Sequence, residues 1–160
     1  AISNCGDWGW VSDLQGYRYS ATDPQSGRSW PAMPAFLRQQ AVEAAAQTGY
    51  AGFAPDACLI NRYEIGARMG LHRDQDETDF AAPIVSVSLG LPCTFLWGGL
   101  ARSQPARRLV LMHGDVLVFG GASRLVYHGV QPLKNGWHEL LGHERWNLPF
   151  RMARAGYLRA

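Results

Sequence analysis

Cysteine is scarce in this chain and badly placed for structural work. The three that occur in its 160 residues, Cys5, Cys58 and Cys93, are odd in number, far apart and include no C-x-x-C pair. Neither a disulfide framework nor a cysteine zinc site is indicated, and a reducing, cytoplasmic compartment follows most simply. Charge is also sparse: 18% of residues are charged and the formal net charge is +2. That is mildly basic, compatible with a polyanionic partner and equally with plain solubility. No apolar run approaches the ~20 residues a membrane span needs, and no membrane association is expected. The opening Ala1-Ile2-Ser3-Asn4-Cys5-Gly6 has neither a basic leader nor a long apolar run and reads as mid-domain. We therefore expect a further N-terminal segment ahead of it. Internal repeats, low-complexity tracts and linkers are missing too. At 47% hydrophobic, the chain is long enough to bury a real core as one domain, 1–160.

What is present is one helical pattern followed by many short strands. Pro31-Ala32-Met33-Pro34 leads into Ala35 to Thr48, where Phe36, Leu37, Ala41, Ala44, Ala45 and Thr48 recur at helical spacing and Gly49 ends the run. The alanine-rich stripe predicts a helix packed on the outside of a sheet. Strand periodicity then covers Ala57 to Tyr63, Ile84 to Leu89, Thr94 to Trp97, Arg108 to Met112, Val116 to Phe119, Leu125 to Val130 and Arg145 to Phe150. Gly66, Gly90, Gly98-Gly99, Gly114-Asp115, Gly120-Gly121 and Gly136 punctuate them. Strands so evenly spaced, without alternating helices, predict a mainly β fold: a two-sheet jelly roll or barrel with at least one flanking helix.

Within this frame His72-Arg73-Asp74 stands out. In an extended strand, residues two apart point to the same side, so His72 and Asp74 can reach one metal while Arg73 points away. His128, in the β-rich stretch Arg124-Leu125-Val126-Tyr127-His128-Gly129-Val130, can arrive on a neighbouring strand as third ligand. Two imidazoles and one carboxylate hold Fe(II) on one face and leave the other open. Taken alone, an H-x-D triplet is also an ordinary solvated pair, or a histidine satisfied by a carboxylate. Asn61 and Tyr63 share strand parity, as do Arg145, Asn147 and Arg151. Guanidinium forks pair with carboxylates in bidentate fashion, so the two arginines suit a dicarboxylate such as 2-oxoglutarate; a solvated strand face is the plainer alternative. A straight strand would part their backbones by ~20 Å, so the side chains must lean together or the strand must bulge, and Pro149 is the expected bulge. Two other classes use the same residues: a jelly roll that binds nucleotide without turnover, and a zinc hydrolase, which would need a nearby general base and would leave the arginines idle.

Six ordered blocks, Cys58-Leu59-Ile60-Asn61-Arg62-Tyr63, His72-x-Asp74, Ala82-Pro83-Ile84-Val85-Ser86-Val87-Ser88-Leu89-Gly90, His113-Gly114-Asp115, Tyr127-His128-Gly129 and Arg145-x-Asn147-x-x-x-Arg151, resemble the bacterial AlkB family from the first residue to about Arg151. The resemblance implies a double-stranded β-helix (jelly roll, cupin-like) from 31 to 160, with 1–30 as the later part of a nucleotide-recognition lid. It implies an Fe(II)- and 2-oxoglutarate-dependent dioxygenase that uses O2 to demethylate alkylated bases, of the 1-methyladenine and 3-methylcytosine type, in DNA and also RNA, releasing formaldehyde, succinate and carbon dioxide. His72, Asp74 and His128 would bind iron; Asn61, Tyr63, Arg145, Asn147 and Arg151 would hold 2-oxoglutarate; Trp10, Tyr17, Tyr19, Asp76 and Arg102 would grip the nucleotide. Core tryptophan, packed strand tyrosines and a solvated acid-base pair are the ordinary alternatives for that last group. The damaged base would be flipped out of its strand to reach the metal, and the enzyme is expected to work as a monomer. Pro149 departs from the threonine usual in the family at that place.

Overall fold

A computed structural model describes residues 1–157; the last three residues of the expected domain lie outside the described residues. The strands are β1 (Ile2–Gly6), β2 (Gly9–Asp13), β3 (Gly16–Ser20), β4 (Ala57–Tyr63), β5 (Met69–His72), β6 (Ile84–Gly90), β7 (Cys93–Trp97), β8 (Arg107–Leu111), β9 (Val116–Phe119), β10 (His128–Val130) and β11 (Arg145–Arg151), with one helix, α1 (Ala35–Gln47). Five strands form one sheet in the order β1-β4-β11-β6-β9, four form a second in the order β5-β10-β7-β8, and β2-β3 is a separate hairpin. Every strand pair is antiparallel, as a jelly roll requires. Among the described residues no helix is long and apolar enough to cross a membrane.

Period-two alternation on the three central strands divides the larger sheet into a packing face and a working face. Cys58 and Ile60 on β4, Val85, Val87 and Leu89 on β6, and Leu148 and Phe150 on β11 turn toward α1, joined by Leu37, Ala41, Ala44 and Ala45. The intervening positions, Asn61, Tyr63, Ile84, Ser86, Asn147, Pro149 and Arg151, line the opposite face around a cavity. A second apolar cluster of Tyr63, Leu91, Cys93, Phe95, Leu111, Val130 and Leu133 closes one end of the sandwich. A third, Tyr19, Ala57, Leu59 and Ala153 with Trp8 and Trp10, seats the β2-β3 hairpin.

Several expectations change. The hairpin strands, β1 and β5 carry too short and too polar a pattern to be read as strands, and they form because an edge or a partner is offered to them. The expected strand from Leu125 shrinks to His128–Val130, because Gly121–Ser123 is a 3-10 turn and Arg124 behind it is pinned by three acceptors described below. Phe36 is 68% exposed; it lies 140° around the helix from Ala41 and falls off the buried stripe. Pro149 makes no bulge. The β11-β6 register runs without a shift from Arg145↔Gly90 to Phe150↔Val85, and against β4 the pairing is interrupted opposite Leu148 and Pro149 but resumes in the same register at Phe150↔Cys58. The lost N–H costs ladder bonds on one side without bending the strand. All three cysteines are buried and free, with Cys5 directly opposite Cys58.

Phe150 is fully buried at the centre of the helix-facing core. Phe150→Ala is therefore expected to cost about 3–5 kcal/mol of stability, read as a lower urea midpoint at unchanged slope.

Candidate active site

Gly129 sets the approach of the two strands that carry the histidines. A Cβ there would lie 2.8 Å from the Met69 carbonyl oxygen, so only glycine lets β5 press against β10. His128 then stands opposite His72 in register, with ring centroids 4.5 Å apart. Strand β5 ends at His72, so Asp74 does not share a strand with it, as the spacing had suggested; it reaches the pair from the irregular segment that follows. The outcome is the expected cluster by a different route: one ligand atom from each of His72, Asp74 and His128 lies within 4.8 Å of the others. The His72 and His128 Nε2 atoms sit 3.8 Å and 3.7 Å from Asp74 Oδ1 and Oδ2. Each Nδ1 faces a backbone carbonyl, Gly70 at 2.9 Å and Val126 at 3.1 Å. With the proton held on Nδ1, both Nε2 lone pairs point at the same place.

Two arginines hold Asp74. Arg151 Nη2 donates to Asp74 Oδ2 at 2.8 Å, and Arg124 Nη1 donates to the Asp74 carbonyl at 2.8 Å. Both arginines are buried and tied to Glu77: Arg124 Nη2 at 2.9 Å from Oε2, Arg151 Nε at 3.5 Å from Oε1. Tyr19 donates its hydroxyl to Glu77 Oε1 at 2.6 Å, and Arg124 Nε donates to the Ala82 carbonyl. Burial alone would push the Asp74 carboxyl upward, yet Arg151, His128, His72 and Arg124 outweigh it and hold it at about 2. Its folded value lies below the ordinary carboxylate range, so its contribution to stability is present above that range and is lost as pH falls through about 2. Burial, opposed by Asp74, lowers His128 below the usual histidine value. It is neutral at pH 7, as a ligand must be.

The arginines of β11 do not converge as a pair. Arg151 is spent on Asp74, whereas Arg145, six residues up the strand and 1% exposed, lies against the Tyr63 ring at 5.4 Å. Arg145 Nη2 donates to Ser88 Oγ at 2.9 Å, but its Nε and Nη1 are buried without a hydrogen-bond partner, as are Asn61 Oδ1 and Arg151 Nε, the last only in ion-pair range of Glu77. A buried guanidinium with two idle donors and no carboxylate is costly unless an anion completes it. Asn147 donates to Ser86 Oγ at 2.7 Å and to the Val87 carbonyl, beside Asn61 in register. Asn61, Tyr63, Asn147 and Arg151 line a small cavity of about 50 Å³ together with the three metal-side residues; Arg145 lies behind Tyr63, outside that lining.

A larger cleft of about 540 Å³ opens on the other side of His72 and Asp74, bordered by Trp10, Tyr17, Asp76 and Arg102. Trp10 and Tyr17 stack with centroids 5.3 Å apart, and Trp10 Nε1 donates to Asp76 Oδ2 at 2.8 Å. Asn4 fixes this wall from below by exchanging two hydrogen bonds with the Trp10 backbone. Tyr19 is the exception among the expected nucleotide-gripping residues: it is 4% exposed and does not border the cleft. Its hydroxyl belongs to the Glu77 network. Sequence reasoning missed Glu77, Arg124, Ser86, Ser88 and Asn4. Glu77 had one weak signal, its place three residues beyond Asp74; the serines had strand parity with the working face and nothing more.

The donor set suits Fe(II) and a dicarboxylate: nitrogen and oxygen ligands on one side of a point, with idle guanidinium donors beyond. Comparison with known proteins agrees. The 2OG-Fe(II) oxygenase superfamily matches residues 1–151. "Alpha-ketoglutarate-dependent dioxygenase AlkB" of Escherichia coli (strain K12) is 57% identical over 153 residues, covering 96% of this chain and 71% of that protein. A protein of Caulobacter vibrioides (strain NA1000 / CB15N), "Alpha-ketoglutarate-dependent dioxygenase AlkB homolog", is 43% identical over 155 residues, covering 96% and 69%. Among solved structures, that of OsALKBH1 superposes with a TM-score of 0.81 at 30% identity, covering 94% of this chain and 76% of that one. With its jelly roll, its His-Asp-His cluster and its waiting arginine, the chain belongs to the AlkB family of 2OG-Fe(II) oxygenases, whose cofactors are Fe(II), 2-oxoglutarate and O2.

Proposed function

We propose that this dioxygenase oxidatively demethylates alkylated bases, of the 1-methyladenine and 3-methylcytosine type, in DNA and also in RNA, and so repairs them by direct reversal. The observation that carries the reading is Arg145, a buried cation with two idle donors on the same strand face as Arg151, which is bonded to the metal-side carboxylate. His72, Asp74 and His128 hold the iron. Arg145 takes the distal carboxylate of 2-oxoglutarate, while Asn61, Tyr63, Asn147 and Arg151 orient the end nearer the metal. A hydrolytic reading lacks its base, because the neighbouring carboxylates are engaged: Glu77 by Arg124 and Tyr19, Asp76 by Trp10.

Iron bound here supplies the oxygen activation, coupled to decarboxylation of 2-oxoglutarate, that oxidises the N-methyl carbon. The protein's own share is placement and exclusion of water. The Trp10-Tyr17 wall takes the face of a base extruded from its strand, a contact worth ~1–3 kcal/mol by analogy with other stacking platforms. Asp76 at its edge favours a ring made cationic by methylation. Such a base has already lost its pairing, which lowers the cost of flipping it. Tyr19, beneath the cleft, acts through Glu77 on the metal-side segment, and Arg102 at the rim meets a phosphate. The hydroxymethyl group left on nitrogen then releases formaldehyde and the restored base.

The reading is tested with a panel of methylated oligonucleotides under Fe(II), ascorbate and 2-oxoglutarate. Formaldehyde and succinate are expected together; activity with zinc and no oxygen would overturn it. His128→Ala is expected to abolish succinate formation. Trp10→Ala is expected to raise KM for the oligonucleotide roughly tenfold and to leave decarboxylation without substrate largely intact. Arg145→Gln is expected to raise KM for 2-oxoglutarate by about 10-fold or more, since a charge-assisted bond to the cosubstrate is lost. Arg145→Lys is not expected to restore it, because an ammonium cannot reproduce the fork.

A further inference from the structure

Arg73 stands between two metal-side residues, and none of the roles above uses its side chain. It is exposed yet held. Its Nε donates to Gln75 Oε1 at 2.7 Å, and its guanidinium carbon lies 5.5 Å from the centroid of the Tyr127 ring. Both supports belong to backbone that the site already fixes, since Gln75 follows Asp74 and Tyr127 precedes His128. An arginine fastened through Nε and through one face still has its two Nη groups to offer as a fork. That fork matches two oxygens of a phosphate, and little side-chain freedom remains to be lost when one binds.

The cleft gives the fork a purpose. Arg73, Gln75, Tyr127 and Arg102 all border it, and among the described residues neither Arg73 nor Arg102 is engaged in an ion pair. The acid bordering the same cleft at its aromatic wall, Asp76, is bonded to Trp10. A nucleotide with a cationic methylated base and an anionic backbone has the same division of charge. Resting on the reading of the site as a nucleic-acid demethylase, we propose that Arg73, laid on Tyr127 and tethered by Gln75, binds a backbone phosphate of the strand that carries the damaged base. It thereby makes the enzyme favour a polynucleotide over a free nucleoside.

The test compares the wild-type chain with Arg73→Gln and Arg73→Lys on two substrates, a 1-methyladenine oligonucleotide and the phosphate-free nucleoside 1-methyladenosine, between about 50 and 200 mM NaCl. Arg73→Gln is expected to raise KM for the oligonucleotide about 5- to 10-fold with little change in kcat. It is also expected to lower the slope of log kcat/KM against log salt by about 0.7–0.9, one phosphate contact. The advantage of oligonucleotide over nucleoside should shrink accordingly. Arg73→Lys should recover the salt slope and only part of KM. An equal loss on both substrates would overturn the proposal by showing that Arg73 acts through His72 and Asp74, and an unchanged salt slope would overturn it outright. If the wild type demethylates neither substrate, the functional reading fails separately. Equilibrium binding of a fluorescent unmethylated oligonucleotide then decides the role of Arg73: a shallower salt slope in Arg73→Gln supports it, and identical slopes refute it.

Discussion

Asp74 has to remain an anion inside protein, beside two imidazoles, and the rest of the site is arranged around that requirement. Taking a carboxylate out of water is expensive unless opposite charge and hydrogen bonds replace the solvent. Here Arg151 grips the carboxylate and Arg124 grips the carbonyl of the same residue. Glu77 answers both arginines. The cluster balances two acids against two guanidinium groups, so removal of any one member strands a buried charge. Its geometry keeps Asp74 ionised at every physiological pH and aims it between His72 and His128.

The same balance explains why the two arginines of β11 behave differently. Arg151 is neutralised within the protein, whereas Arg145 is buried with a serine hydroxyl, an aromatic face and the Cys93 thiol as its company and no carboxylate beside it. On the proposed reading, a cosubstrate carrying two carboxylates would bring the missing anion to Arg145, and its negative charge would offset that of a divalent metal held by the triad. Alternation along β4, β6 and β11 makes this affordable in structural terms. One face of each strand is given wholly to the core against α1, which leaves the other free to carry polar groups that would not survive in a packed interior.

Strand parity and residue chemistry made much of this legible in the sequence. The alternation of β4 and β11 put Asn61 with Tyr63 and Arg145 with Asn147 and Arg151, and the two histidines with Asp74 were legible as candidate metal ligands. What could not be read was anything set by contacts distant along the chain. Glu77 and Arg124 are 47 residues apart and meet only in the fold; Cys5 and Cys58 become neighbours only through the β1-β4 register. Pro149 misled because its missing N–H was taken to bend the strand, when a central strand held by neighbours on both sides simply forgoes the bond. Tyr19 entered the nucleotide-gripping set only through the family resemblance, with a packed strand tyrosine as the alternative, and its hydroxyl faces inward to Glu77.

The central claim is that the triad and Arg145 form a single site for a metal and a dicarboxylate. The most direct measurement is a crystal structure of the protein prepared without oxygen in Mn(II), a redox-inert stand-in for Fe(II), and 2-oxoglutarate, with the metal located by anomalous scattering. The account predicts one metal bound by His72 Nε2, His128 Nε2 and an Asp74 oxygen, with a cosubstrate carboxylate on the idle donors of Arg145. A metal seated elsewhere, or Arg145 left without an anion, would contradict it.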